Sequence, residues 1–199
     1  ALYGQGPGGE QDCSLGLNPD LGASIFKLVT AVAALEQAGF TPESMFSYNG
    51  SAYTLYKKQL TERRNRWTED ISLAEAFARS NNVVFGKIGS MYLGQQPLIL
   101  TAEKMGFGKS PLREISIDPS ESYLPQDDYG VAELACGFNR HTRISPVHAA
   151  QMVTAVLNEG FMLAPRLVYG QDVEKTQVMQ AGTARALHDM MERTVRRGT

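Results

Sequence analysis

The 199-residue chain predicts a mainly helical domain, and three observations carry that prediction. A near-continuous apolar run, Leu28 to Leu35, follows Ser24-Ile25-Phe26-Lys27 and is long enough for a buried helix. Helix-start signatures stand at Ser72-Leu73-Ala74-Glu75 and at Ser145-Pro146. Strand-like patterning is confined to one short stretch, Tyr53-Thr54-Leu55-Tyr56.

Taken in order, residues 1–20 carry Gly4, Gly6, Gly8, Gly9, Pro7 and Pro19 with little periodicity and read as an irregular lead-in. Residues 21–199 form the helical core of what is expected to be one domain, 1–199. The first helix is expected from about Ser24 to Gln37, stopped by Gly39. Residues 40–70 are polar and aromatic, with a turn at Tyr48-Asn49-Gly50 and a short strand or hairpin arm at Tyr53–Tyr56. Serine at 72 and glutamate at 75 spell a capping box, so a helix starts there, breaks at Ser80-Asn81-Asn82 and resumes through Val83, Phe85, Ile88 and Met91. Pro97 to Met105 reads as a further helix closed by Gly106-Phe107-Gly108. Lys109 to Phe138, rich in Pro, Ser, Asp and Glu, is expected to be largely loop. Ser145-Pro146 opens a helix running to Asn158, and a last helix spans roughly Thr183 to Arg197, with Leu187, Met190, Met191 and Val195 on one face.

Charge and cysteine usage narrow the function. Nineteen basic and 21 acidic residues leave a net charge of −2, which gives a polyanion no reason to bind, so nucleic acid is not an expected partner. No run approaches the roughly 20 apolar residues that span a bilayer, so this chain itself is expected to make no membrane contact. Cys13 and Cys136 stand far apart and outside any Cys-x-x-Cys pair, which leaves either one disulfide or two thiols.

Ser24 and Lys27 lie one helical turn apart, a separation at which the lysine amine can reach the serine hydroxyl. Among Ile25, Phe26, Leu28 and Val29 that amine loses solvation, which lowers its pKa and frees a lone pair to take a proton. A serine N-cap followed by a snorkelling lysine spells the same four residues without chemistry. Ser80-Asn81-Asn82 is a second candidate, set between two apolar helices where a turn can aim side chains into a cleft. Other motifs fail on context. Gly4-Gln5-Gly6-Pro7-Gly8-Gly9 has no strand before it or helix close behind, Gly108-Lys109-Ser110 lacks the first glycine of a phosphate loop, and Phe26 replaces the second glycine of a nucleophile elbow. His141, His148 and His188 show no metal-binding spacing.

Together, Ser24-x-x-Lys27 and Ser80-x-Asn82, 56 positions apart, resemble the penicillin-binding protein transpeptidase family, the D,D-transpeptidases. The likeness runs on in the same order through Leu73–Phe85, Met105-Gly106-Phe107-Gly108, Ile144–Met152, Asn158-Glu159-Gly160 and Pro165. It implies an α+β fold of the penicillin-binding transpeptidase and β-lactamase-like type. It also implies that this chain is mainly α, because the family's central sheet comes from strands before the nucleophile helix and after Thr199. Carried over by position, Ser24 is the acylated nucleophile, Lys27 its general base, Ser80 a proton relay to the leaving group, and Asn82 a hydrogen-bond partner of the bound peptide amide. The implied substrate is a peptidoglycan stem peptide ending in D-Ala-D-Ala, with β-lactams as covalent inhibitors and no cofactor. The implied place is the outer face of a bacterial cytoplasmic membrane, with the parent protein anchored there. The family's Lys-Thr/Ser-Gly strand motif is absent, since Lys109-Ser110-Pro111 lacks the glycine and lies too early. That strand supplies one of two oxyanion amides, and losing one donor costs about 10²–10³ in rate, so a partial domain of low activity on its own is expected. The alternative is a β-lactam-binding receptor or degenerate homologue that is acylated without turnover.

Overall fold

Helix α1 (Lys27–Glu36) is the axis of the molecule, and its composition explains why. Every residue from Lys27 to Ala34 is buried, as an all-round apolar helix requires, and Ala31, Ala33 and Ala34 let neighbours approach closely. Helices α4 (Gln95–Lys104), α5 (Asp128–Cys136) and α7 (Ala181–Arg197) pack around it, and α6 (Pro146–Leu157) leans on α7. The computed structural model describes residues 3–6, 9–12, 18–112, 114–115, 117–170 and 172–198. Cys13, and with it any pairing to Cys136, lies outside them; Cys136 itself is buried and has no disulfide partner among the described residues.

The capping signals act where expected. Ser72 accepts from the Glu75 amide at 3.2 Å to start α2 (Leu73–Ala78), but the Glu75 carboxylate turns to Arg79 at 2.7 Å rather than back to the cap. Ser145 accepts from the His148 amide at 3.2 Å with Pro146 in the first turn of α6. Asn81 caps α3 (Asn82–Lys87), which runs into a π-helical turn, Ile88–Leu93. On α7 the expected apolar face is half right. Leu187 and Met190 are buried, while Val195 is 88 % exposed.

Strands occur only as two-stranded antiparallel pairs among the described residues: β1 (Tyr3–Gly6) with β2 (Gly9–Asp12), β3 (Asp20–Leu21) with β6 (Arg143–Ile144), β4 (Met45–Asn49) with β5 (Thr68–Ser72), and β7 (Phe161–Leu163) with β8 (Lys175–Gln177). Two expectations are corrected here and a third is refined. The lead-in 1–20 is not irregular throughout, because β1 and β2 pair in register from Tyr3↔Asp12 to Gly6↔Gly9. Ladder hydrogen bonds are made by backbone, so a hairpin can form without alternating apolar residues. Tyr53–Tyr56 is no strand; the partner of β4 is Thr68–Ser72, a polar segment with one buried apolar residue, Ile71. The stretch 109–138 is largely loop, as expected, but it also contains α5. Asp127 accepts from the Gly130 amide at 2.7 Å to open that helix, and Gly137, at φ 72°, closes it.

Candidate active site

A turn of 3-10 helix, Ala23–Phe26, feeds α1 and carries the first candidate. Its entry is fixed by the Gly22 amide, which donates to the Thr142 carbonyl at 2.9 Å beside the β3–β6 pair. Ala23 sits at φ 40°, a left-handed conformation that costs a non-glycine residue about 1–3 kcal/mol and persists only where the surroundings impose it. The imposing group is the end of α5: a Cβ on Gly137 would fall on the Ala23 carbonyl, so only glycine fits there. Ser24 follows, exposed, on the rim of an apolar cleft of about 510 Å³ lined by Ile25, Leu28, Phe77, Val153 and Leu157.

Lys27, one turn on, is 2 % exposed. Its ammonium donates three hydrogen bonds of 2.8 Å, to Ser24 Oγ, Asn82 Oδ1 and the Cys136 carbonyl. Burial pushes its pKa down to about 8, and the neighbouring Cys136 thiol pulls weakly the other way. About a tenth of the amine is therefore neutral at pH 7, against less than a thousandth for an ordinary lysine. The lysine has exchanged water for three fixed acceptors.

Ser80 occupies the polar break between α2 and α3. It too is left-handed, at φ 52°, with its amide on the Phe77 carbonyl at 2.9 Å. That turn aims its hydroxyl back at α1, where it donates to Ser24 Oγ at 2.9 Å. Asn82, in the first turn of α3, is held by its amide nitrogen on the Ala52 carbonyl at 2.7 Å and its side-chain Nδ2 on the Tyr53 carbonyl at 2.9 Å. Oδ1 is left facing Lys27. Both side-chain groups of Asn82 retain capacity for a second hydrogen bond.

The structure thus brings Ser24, Lys27, Ser80 and Asn82, from two segments more than fifty residues apart, into one hydrogen-bonded cluster. Reading side chains missed the Cys136 carbonyl and the Tyr53 carbonyl, because a backbone group has no residue type to betray it. One signal for the former stands in the sequence: an apolar segment, Val131 to Cys136, ending at glycine. His148 and its partners lie elsewhere in the core, with Nε2 at 2.8 Å from the Met105 carbonyl and the ring against Phe107.

The chain is similar to known proteins. A family model described as penicillin binding protein transpeptidase domain matches residues 22–199. No curated protein matches the chain. Among solved structures, penicillin-binding protein A from M. tuberculosis as a penicillin G acyl-enzyme complex superposes with a TM-score of 0.74 at 21 % identity, covering 92 % of this chain and 45 % of that one. The D,D-transpeptidase domain of a peptidoglycan glycosyltransferase from Eggerthella lenta gives 0.71 at 22 % identity, over 91 % of this chain and 50 % of that one. A putative peptidoglycan glycosyltransferase from Atopobium parvulum gives 0.73 at 22 %, over 90 % and 43 %. The chain spans half the length of these structures or less, and at such identity the likeness shows the fold, the α+β arrangement expected from the sequence.

Proposed function

Because the chain belongs to the penicillin-binding protein transpeptidase family, we propose that it carries the serine acyl-transfer centre of a D,D-transpeptidase, with Ser24 as nucleophile, Lys27 as base, Ser80 as proton relay and Asn82 as orienting group. The observation that carries the proposal is that Ser24 Oγ is held at once by Lys27 Nζ at 2.8 Å and by Ser80 Oγ at 2.9 Å. A neutral Lys27 takes the Ser24 proton as Oγ attacks the carbonyl carbon of the penultimate residue of a D-Ala-D-Ala peptide. The new C–O bond forms, the peptide C–N bond breaks, and the proton passes from Lys27 through the Ser80 hydroxyl to the departing amine. Asn82 accepts from the Lys27 amine throughout through Oδ1, and its second Nδ2 hydrogen has capacity for a peptide carbonyl.

An amine acceptor on the resulting ester gives cross-linking and water gives carboxypeptidation; acylation is common to both. The substrate places this chemistry outside the cytoplasmic membrane. A β-lactam presents a strained amide in place of the peptide bond and acylates Ser24 with its leaving amine still tethered, in line with the penicillin G acyl-enzyme complex of the M. tuberculosis relative. The test is intact-mass analysis after incubation with penicillin G. A single adduct is expected on the wild type and none on Ser24→Ala; an adduct that persists in the alanine variant refutes the assignment.

A further inference from the structure

The last four carbonyls of a helix have no partner within it. In α5 all four are accounted for, and the division is informative. The chain that reverses after the helix satisfies two of them: the Phe138 amide donates to the Glu133 carbonyl at 2.9 Å and the Gly137 amide to the Leu134 carbonyl at 3.0 Å. Two side chains of α1 satisfy the others. Thr30 Oγ1 donates to the Ala135 carbonyl at 2.7 Å and Lys27 Nζ to the Cys136 carbonyl at 2.8 Å. Thr30 is fully buried and stands one turn beyond Lys27 on the same face.

A threonine inside a helix ordinarily turns its hydroxyl to the carbonyl four residues back. Here that carbonyl, of Phe26, is 3.5 Å away, and the single hydroxyl proton is spent on the shorter bond across to α5. The end of α5 is also seated without slack. A Cβ on Gly137 would overlap the Ala23 carbonyl on one side, and one on Gly89, in the π-helical turn, would overlap Ala135 Cβ on the other.

We infer that Thr30 is a positioning residue: it clamps the final turn of α5 to α1, so that the Cys136 carbonyl takes one Lys27 N–H and leaves the amine lone pair aimed at Ser24. A neutral amine has two N–H groups and one lone pair. With Asn82 Oδ1 and the Cys136 carbonyl holding the two hydrogens, the remaining direction is that of the Ser24 hydroxyl, already at 2.8 Å. The catalytic side of this inference rests on the acyl-transfer reading above; the geometric side does not. Among the described residues, the titratable group that bears on Lys27 is the Cys136 thiol, which opposes the larger effect of burial and is itself pushed up to about 11 by burial. Ser24, Ser80 and Asn82, which also face the amine, carry no charge.

Two measurements on the 199-residue chain, with Thr30→Val and Thr30→Ser, decide it. The first follows the Lys27 titration by NMR of lysine labelled at Cε, assigned with Lys27→Met. Losing a fixed acceptor disfavours the ammonium, so Thr30→Val lowers the midpoint by about half a pH unit or more, while Thr30→Ser, which keeps the hydroxyl, restores it. The second is the rate of penicillin G acylation above that midpoint, where Thr30→Val slows about tenfold from lost alignment and Thr30→Ser recovers. If Thr30→Val does not fold, Thr30→Ala is read in the same way. A midpoint that stays put or rises while thermal stability falls makes Thr30 merely structural and overturns the inference. A wild type that never reacts with penicillin refutes the proposed function, and the NMR comparison still decides whether Thr30 positions Lys27.

Discussion

The depressed basicity of Lys27 has a thermodynamic counterpart that can be measured without any substrate. In the folded chain its pKa is pushed to about 8, whereas in the unfolded chain it returns to the ordinary 10.5. Between those values the unfolded chain binds a proton that the folded chain has released, so unfolding is opposed more strongly as pH rises from 8 to 10.5. Below that window both states are protonated and the burial penalty is paid in full. A drop of about 2.5 units, at about 1.4 kcal/mol per unit, sets the change at about 3 kcal/mol; the group is 2 % exposed, so solvent screening takes little from it. Tyr48 and Cys136, pushed up to about 12 and about 11 by burial, act in the opposite sense, losing stability as the unfolded chain ionises first. Absolute stability is therefore the wrong readout. The right one is the difference between wild type and Lys27→Met, in urea titrations from about pH 7.5 to about pH 10.5. Leaving Asn82 Oδ1 and the Cys136 carbonyl without a donor costs the variant a constant amount that cancels across pH. The wild type should gain about 3 kcal/mol on the variant over that range. A difference that stays flat means the amine is not depressed, and the case for Lys27 as a neutral-pH base falls with it.

Two further outcomes follow from the same structure. Asn81→Ala removes the cap that accepts from the Val84 amide at 3.0 Å in a fully buried setting, and should cost about 1–2 kcal/mol in denaturant melts while slowing penicillin acylation, because the first turn of α3 carries Asn82. His148, 2 % exposed, with Nδ1 lacking a partner among the described residues and Nε2 on the Met105 carbonyl, has its pKa lowered by burial. The unfolded chain therefore protonates first, and wild type should lose stability relative to His148→Gln as pH falls below about 6.5.

How much of this was legible in the sequence depends on which atoms carry the information. Caps are side chains with a position, so Ser72 and Ser145-Pro146 announced α2 and α6, and the all-apolar run announced α1. Helix α5 was hidden because Asp127 and Gly130 sit in a Pro- and Asp-rich neighbourhood where the cap looks like one more turn residue. The β4–β5 pair is hard to read because the partner strand starts nineteen residues beyond Asn49, past a nearer aromatic stretch with the better strand composition. At the site, all four residues named from motif spacing converge, since the motif is a record of side-chain chemistry. What spacing could not carry was the backbone: the left-handed turns at Ala23 and Ser80 that aim the two hydroxyls, and the two carbonyls that fix Lys27 and Asn82.

The absence of a side chain at Gly89 has a consequence for how such a centre can change over time. No atom of Gly89 enters the hydrogen-bonded cluster, yet a methyl group there would overlap Ala135 Cβ, one residue before the carbonyl that holds Lys27, so the packing at the end of α5 would have to shift. Under the proposed acyl-transfer function, reactivity toward a β-lactam is then adjustable from a position outside the hydrogen-bonded cluster. On that same proposal, packing behind α5 offers a route to altered reactivity that leaves Ser24, Lys27, Ser80 and Asn82 unaltered, one that variants confined to the cluster do not sample.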